Sequence, residues 1–177
     1  MQFVETELPG AFLVKPQPHL DERGLFARTW CELEFAEHGI RMSVRQCNIS
    51  VNRRRGTLRG LHYQAAPYHE AKTVTCVRGA IHDVIVDLRS TSPTFKRYVA
   101  VELTAENRHM LYIPPGLAHG YQTLMDDSEV YYQMSELYVP EMARGVRWND
   151  PAFGIAWPPV EQRIMSPLDR DHPDFKG

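Results

Sequence analysis

The chain has 177 residues, a formal net charge of −2 and a hydrophobic content of 43%. This length and apolar content suffice for one domain with a sizeable core, so we predict a single domain over residues 1–177. Acidic and basic residues nearly cancel, which excludes a global electric field that would attract nucleic acid or an anionic membrane. No apolar run is long enough to span a bilayer.

The amino terminus and the cysteines bear on the cellular compartment. The first residues lack the basic region and following apolar stretch of a secretory signal. The three cysteines form neither a paired framework nor a Cys-x-x-Cys motif, and an odd count fits reduced thiols. We therefore expect a cytoplasmic protein.

The first forty residues contain little regular structure by pattern. Pro9, Pro16 and Pro18 predict an irregular or edge-strand start. A polar turn then feeds an apolar strand within residues 19–26. Residues 30–38 predict one short, peripheral helix that stops at Gly39.

From Val44 the pattern is that of short strands separated by turns. Turn signals recur about every 8 to 12 residues, and the pattern predicts an all-β sandwich, jelly roll or small barrel. The residues from Pro140 onward are rich in proline and are predicted to wrap the barrel. After residues 46–50, the predicted strands are 73–78, 81–89, 97–103, 109–113 and 129–135.

Three uncharged polar residues alternate along the first of these strands. Gln46, Asn48 and Ser50 share one face because side chains alternate across a strand. Such a row is either a wall of a ligand pocket or a solvated strand face, and the pattern fits both.

Two histidines follow apolar or strand-like runs and suggest one pocket. His62 lies in residues 56–64, and His119 lies in the turn of residues 114–120. Strict alternation puts Arg59 on the opposite face from His62, so both can enter one pocket only if the strand bulges. Gly60 is the position where a bulge costs least.

The histidines also fit most of a cupin metal motif. Gly56-x5-His62, Glu70, Gly79 and Pro114-x-Gly116-x2-His119 reproduce its frame, but Gln64 replaces its second histidine. A neutral amide oxygen is a poor ligand for a transition metal. The frame thus indicates a cupin-type jelly-roll barrel with a few short helices, and we predict no metal.

The same residues are suited to proton transfer. Histidine is the residue type that commonly serves as a general base, and His62 would need a carboxylate to orient its ring. Lys72 and Tyr132 share strand faces with apolar residues and are expected to point inward. Each also has a structural alternative, since an inward tyrosine is often a core residue and a strand lysine often reaches solvent. The candidate carboxylates are Asp83, Asp87 and Asp169.

The ordered motifs resemble the dTDP-4-dehydrorhamnose 3,5-epimerase family of cupin-fold enzymes, which act on nucleotide-linked 4-keto-6-deoxy sugars. The match runs across nearly the whole chain, and Leu-Arg-Gly-Leu-His-Tyr-Gln is its most specific part. The matching stretches lie at residues 21–24, 46–50, 56–64, 83–94, 114–120, 148–151 and 166–169.

The resemblance implies a role for each candidate residue and no cofactor. Four residues would be catalytic: His62 as the general base, Asp169 orienting it, Lys72 stabilising an enolate, and Tyr132 returning a proton. The others would bind the substrate: Arg23 and Arg59 the diphosphate, Gln46 and Asn48 the nucleotide, Tyr138 the base, and Asp83 and His119 the pocket wall. Members are homodimers that exchange N-terminal strands, so the expected partners are a nucleotide-diphosphate sugar and a second copy of the chain.

Two positions depart from the family pattern. Arg28 stands where glutamate is common, and Gln133 stands where lysine usually follows the pocket tyrosine. The charge reversal leaves a CDP- or GDP-linked sugar open. Relatives that invert only C3 or only C5 also exist, and the sequence does not distinguish them from a double epimerase. Two other classes remain: a non-catalytic sugar-nucleotide-binding cupin, and a metal-dependent cupin oxygenase, which Gln64 disfavours.

Overall fold

The computed structural model describes residues 1–176, and most of its regular structure is strand. Its helices are α1 (Glu32–Glu37), α2 (Pro167–Arg170) and a 3-10 turn at Pro140–Met142. The strands are β1 (Gln2–Glu5), β2 (Phe12–Lys15), β3 (His19–Asp21), β4 (Gly24–Phe26), β5 (Gln46–Asn52), β6 (Leu58–Gln64), β7 (Lys72–Arg78), β8 (Ala80–Asp87), β9 (Tyr98–Thr104), β10 (Met110–Ile113), β11 (Leu117–Thr123), β12 (Ser128–Met134) and β13 (Ala143–Gly145).

Two antiparallel sheets form the body of the protein. The six-stranded sheet has the order β1-β2-β10-β7-β12-β5, and the five-stranded sheet has the order β13-β6-β11-β8-β9. Consecutive strands often belong to different sheets, as β6 and β7 do. The prediction of an all-β jelly roll is confirmed, and the predicted strands agree with β5, β7 to β10 and β12 within two residues at each end. The sequence analysis did not predict β11, because the pattern of residues 114–120 indicates a turn.

The main core lies between the two sheets and draws on both. Val74, Leu111 and Val130 of the six-stranded sheet meet Ile81 and Ile85 of the five-stranded sheet, and all five are buried. Full burial of one such side chain stabilises the fold by about 1.5–3 kcal/mol. This apolar layer fixes the separation of the sheets, and hence the width of any cavity at its end.

The amino-terminal segment is more regular than its prolines suggest. β1 and β2 form an antiparallel pair, and β2 also pairs with β10. The prediction of an irregular or edge-strand start is therefore right only for the edge strand β1 and for the prolines between strands. β3 and β4 form a separate two-stranded hairpin in which every residue is exposed.

A bulge separates Arg59 from His62 in β6. His62 pairs with His119, and Arg59 pairs with Tyr121, so three steps along β6 oppose two along β11. Gly60 has φ +111° within this bulge. The predicted bulge is confirmed, and it lets both Arg59 and His62 face the same cavity.

Gly120 lets β6 and β11 approach closely at the bulge. A Cβ at position 120 would lie 2.7 Å from the carbonyl oxygen of Arg59 and 3.2 Å from the Cα of Gly60, both backbone atoms. We expect Gly120→Ala to destabilise the protein by about 1–3 kcal/mol, because the strands must separate. Chemical denaturation measures this loss, and an unchanged midpoint would contradict the close approach.

The carboxyl-terminal tail returns to β6 instead of only wrapping the barrel. Ile164 forms a parallel bridge with Thr57, and its carbonyl accepts a hydrogen bond of 2.8 Å from the Leu58 N–H. α2 follows at once, with the Ser166 hydroxyl accepting from the Asp169 N–H as the N-cap. This short helix, which the sequence analysis did not predict, places Asp169 beside the histidine of β6.

Candidate active site

A cavity of about 610 Å³ opens at one end of the barrel between the two sheets. Its polar lining comes from β5, β6, β7, β11 and β12 together with the tail. Every site residue predicted from the sequence lines this cavity except Arg23 and Asp83. The predicted residues that it brings together are Gln46, Asn48, Arg59, His62, Lys72, His119, Tyr132, Tyr138 and Asp169.

His62 and Asp169 form a hydrogen-bonded dyad. The Nε2 of His62 lies 2.6 Å from Oδ1 of Asp169, whose side chain is only 8% exposed, while that of His62 is 47% exposed. Burial pushes the pKa of Asp169 upward, but hydrogen bonds from His62, Gly60 and Ser166 outweigh it and lower the pKa. An ionised Asp169 accepts the proton on Nε2, so Nδ1 of His62 carries the free lone pair.

A second dyad stands next to the first. His119 pairs with His62 across β11 and β6, and its Nε2 lies 2.7 Å from Oδ1 of Asp83. Asp83 is fully buried on β8 and does not reach the cavity. The resemblance implied that Asp83 lines the pocket wall. The structure corrects this, because Asp83 is hydrogen-bonded to His119 and is absent from the cavity lining.

Lys72 reaches the cavity from the opposing sheet as half of a buried ion pair. Its Nζ lies 2.8 Å from Oε1 of Glu70, and the two side chains are 11% and 3% exposed. The ammonium is therefore held at the wall, not directed to solvent. Glu70 also lines the cavity, and the sequence analysis singled it out only as part of the cupin frame.

Tyr132 lies on β12, whose Met134 pairs with Lys72 of β7. It packs against the main core and lines the cavity, and its hydroxyl has no hydrogen-bond partner among residues 1–176. Burial raises the pKa of Tyr132, while the Arg59 cation acts in the opposite direction. The phenol is therefore protonated at neutral pH, as a proton donor must be.

The arginine and amides at the other side of the cavity are held by neighbouring polar groups. Arg59 Nε donates to Oδ1 of Asn52 at 2.8 Å, and Gln46 Nε2 donates to Oδ1 of Asn48 at 3.1 Å. Tyr138 is 55% exposed at the mouth, where its N–H donates to Oε1 of Gln46. Of the two readings of the Gln46–Ser50 face, the ligand-pocket wall is the one that the structure supports.

The cupin metal frame does not offer a set of free ligands. Gln64 uses its amide on backbone groups: Nε2 donates to the carbonyls of Tyr68 and Leu137, and Oε1 accepts from the Val139 N–H. Glu70 is paired with Lys72, and His119 is paired with Asp83. The donor set therefore does not fit the metal that many cupins hold, because its members already have other partners.

Arg23 is the one predicted binding residue far from this cavity. It lies in the β3–β4 turn, where its side chain is 85% exposed and pairs with Asp21 at 2.6 Å. Within one chain it contacts no other site residue. Arg23 can reach a nucleotide pocket only if the hairpin extends into another copy of the chain.

The two departures from the family pattern are accommodated locally. Arg28 pairs with Glu34 at 2.8 Å and is outside the cavity lining. Gln133 accepts a hydrogen bond of 3.0 Å from the Thr73 hydroxyl across two neighbouring strands. The charge reversal at Arg28 is thus balanced within the chain and does not alter the charge of the cavity.

The cavity also contains residues that the sequence analysis missed. His172 and Ser166 come from the tail, and burial lowers the pKa of His172, with His62 acting in the same direction. Tyr121 donates from its hydroxyl to Ser50 at 2.9 Å. The tail carried two matched stretches, residues 148–151 and 166–169, and neither includes His172.

Comparison with known proteins agrees with this geometry. The family model described as dTDP-4-dehydrorhamnose 3,5-epimerase matches residues 5–177. A dTDP-4-dehydrorhamnose 3,5-epimerase of Methanothermobacter thermautotrophicus is 42% identical over 172 residues, covering 96% of this chain and 92% of that protein.

Two solved structures extend the comparison. The Bacillus anthracis enzyme of that name, with TDP and PPi bound, has 38% identity and a TM-score of 0.94, covering 98% of this chain and 99% of the other. ChmJ, a 3'-monoepimerase of Streptomyces bikiniensis in complex with dTDP-quinovose, has 36% identity and a TM-score of 0.89, covering 96% and 85%. These likenesses confirm the cupin-type fold, and the chain belongs to the dTDP-4-dehydrorhamnose 3,5-epimerase family as an epimerase of nucleotide-linked 4-keto-6-deoxy sugars.

Proposed function

We propose that the protein inverts both C3 and C5 of a dTDP-linked 4-keto-6-deoxyglucose. The observation that carries this proposal is the placement of His62, paired with Asp169 of the tail, on one sheet, and of a buried lysine and a tyrosine on the other, around one cavity. A base and an acid on opposing walls can remove a proton from one face of a sugar ring and return one to the other face. Inversion at a carbon requires that arrangement.

The proposed base is Nδ1 of His62. Protons next to the C4 ketone are acidic, and a neutral imidazole whose other nitrogen is bonded to an ionised carboxylate is a suitable base for them near pH 7. Asp169 fixes the tautomer and stabilises the imidazolium that forms. The electron pair of the broken C–H bond moves into the ring and becomes an enolate.

Lys72 stabilises the enolate oxygen, and Tyr132 reprotonates the carbon. A preorganised ammonium with little exposure to water lowers the energy of a developing oxyanion. The protonated Tyr132 then gives its proton to the carbon from the other side of the ring. One proton leaves and one returns, so the reaction needs no redox cofactor.

Four other lining residues form the nucleotide end of the site in this proposal. Arg59 supplies the cation for the diphosphate, Gln46 and Asn48 contact the nucleoside, and Tyr138 stacks on the base at the mouth. The Bacillus anthracis relative, with its bound TDP, supports a thymidine nucleotide. The pairing of Arg28 with Glu34 removes the main reason to favour a CDP- or GDP-linked sugar.

We also propose a homodimer in which the amino-terminal hairpins are exchanged. The hairpin presents Leu20, Leu25 and Phe26, which are 78%, 42% and 73% exposed. A small apolar surface of this kind is stabilised when a second copy covers it. Arg23 at the hairpin tip would then reach the diphosphate of the partner's site.

Sedimentation of the purified protein tests the dimer. A mass of about twice 20.4 kDa supports the exchange. Arg23→Ala should then raise KM while leaving the oligomeric state unchanged. A monomer would remove Arg23 from the binding site.

The remaining expectations concern the compartment and domain count. No helix within residues 1–176 has the length and apolar character of a membrane span. We propose a cytoplasmic protein, since all three cysteines are free thiols. One domain is proposed as well, because a single family model runs over residues 5–177. Because the acidic and basic residues nearly cancel, we also propose that the protein does not bind nucleic acid.

Deuterium incorporation tests the proposed reaction. The protein is incubated with dTDP-4-keto-6-deoxyglucose in heavy water, and the sugar is followed by NMR. Label at C3 and at C5 supports the double epimerase. The second candidate reaction is inversion at C3 alone, because the 36% identical ChmJ is a 3'-monoepimerase. Label at C3 only would favour this second reaction. Absence of label would direct the same assay to CDP- and GDP-linked sugars, and then to a binding role.

A further inference from the structure

A third side chain with ligand character stands beside the His62–Asp169 dyad. His172 follows α2 in the tail and lines the same cavity. Its Nε2 is buried and has no hydrogen-bond partner among residues 1–176. The proton relay proposed above leaves His172 without a role.

Gly145 of β13 makes room for the His172 ring. A Cβ at position 145 would lie 2.1 Å from Nε2 and 2.5 Å from Cε1 of His172. Gly145 also pairs directly with His62 across β13 and β6. The ring of His172 is therefore held against the strand that borders the one carrying His62.

His62, Asp169 and His172 have the spacing of metal ligands. Each can offer one ligand atom, and these three atoms lie within 4.8 Å of one another. Zn–N and Zn–O bonds of about 2.0–2.2 Å place tetrahedral ligand atoms about 3.3–3.5 Å apart. Closing the widest separation requires a shift of about 1.5 Å or less, which side-chain rotation of His62 and His172 can supply.

We propose that His62, Asp169 and His172 form a site for a borderline divalent transition metal such as Zn²⁺. Two neutral imidazoles and one carboxylate match the preferences of such ions, whereas Mg²⁺ and Ca²⁺ prefer oxygen ligands. With Asp169 ionised and both imidazoles neutral, the ligands carry one negative charge. The exposed face of His62 leaves a fourth position for water. This site is distinct from the cupin frame, whose other members are already engaged.

Occupation of the site blocks catalysis. If the ion binds Nδ1 of His62, the lone pair of the base is used; if it binds Nε2, the hydrogen bond to Asp169 is lost and the tautomer is reversed. This consequence rests on the proposed role of His62 as the base. The binding itself does not, so binding and inhibition are measured separately.

Calorimetric titration with ZnCl2 tests the binding. The metal-free protein should bind one zinc ion more tightly than any other. His172→Gln should weaken the affinity of this step at least about tenfold. His69→Gln, at an exposed histidine, is the matched control and should leave the affinity unchanged. Other surface ligands, such as the exposed thiol of Cys47, cancel in this comparison. Equal binding by the wild type and His172→Gln would overturn the site.

The exchange assay separates the site from the proposed function. In metal-free buffer His172→Gln should exchange substrate protons at close to the wild-type rate. Added ZnCl2 should inhibit the wild type, and EDTA should reverse this inhibition. The variant should be inhibited only at ZnCl2 concentrations about tenfold higher or more. His172→Ala serves if the first variant fails to fold. If zinc binding depends on His172 but does not inhibit exchange, the proposed metal site stands and the role of His62 as the base is contradicted. If zinc inhibits both proteins equally, the proposed metal site is overturned.

Discussion

His62→Asn is expected to lower the rate of solvent exchange at the sugar's α-carbons by about 10²–10⁴-fold, the range typical of a lost general base. Asparagine keeps a polar side chain of similar size but cannot take a proton near pH 7. Because His62 is half-exposed at the cavity, the substitution should change the free energy of unfolding little. NMR in heavy water measures the exchange, and thermal unfolding measures the stability.

Asp169→Asn tests the other half of the dyad. An amide at 169 no longer selects the tautomer with the proton on Nε2 of His62, so exchange should fall while substrate binding persists. His119→Asn should have a smaller effect on exchange, because His119 lies in the second dyad with Asp83. Exchange at wild-type rate in His62→Asn would remove His62 as the base and leave His119 as the next candidate.

The bulge in β6 shows what local sequence can predict. Alternation separates Arg59 from His62, and the only economical way to bring both into one cavity is an extra residue at a glycine. Gly60, with φ +111°, lies there. The strand pattern predicted β5, β7 to β10 and β12 for the same reason: apolar alternation and turn residues are local signals.

The tail shows what local sequence does not predict. Asp169 lies 107 residues from His62 along the chain, and their hydrogen bond depends on the parallel pairing of Ile164 with Thr57 and on the short helix α2. No periodicity marks a single bridge or a four-residue helix. Only the resemblance indicated the pairing of Asp169 with His62, and nothing indicated His172.

Asp83 was misplaced for a related reason. The resemblance put Asp83 on the pocket wall, but a matched motif does not show whether another side chain stands between a residue and the cavity. His119, from the neighbouring strand β11, occupies that position. The depth of a residue below a pocket surface is a property of the packed sheet, and a one-dimensional pattern does not contain it.

Tyr132→Phe is expected to separate the two halves of the reaction. The phenylalanine retains the ring that packs against the core, so the fold should persist, but the proton donor on the six-stranded sheet is lost. Product formation should fall by about 10²–10⁴-fold, as for removal of a general acid. Wash-out of substrate protons should fall less, because His62 on the opposing sheet can still remove a proton and return a solvent-derived one to the same face.

The two rates are measured in one NMR experiment in heavy water, by following label in the remaining substrate and inversion in the product. A variant that retains exchange in the substrate but accumulates little inverted sugar assigns Tyr132 to reprotonation on the second face. Equal loss of both rates would instead place Tyr132 in substrate positioning. Tyr121→Phe is the matched control: its hydroxyl is bonded to Ser50, so it has no free proton to deliver, and its loss should leave the ratio of the two rates unchanged.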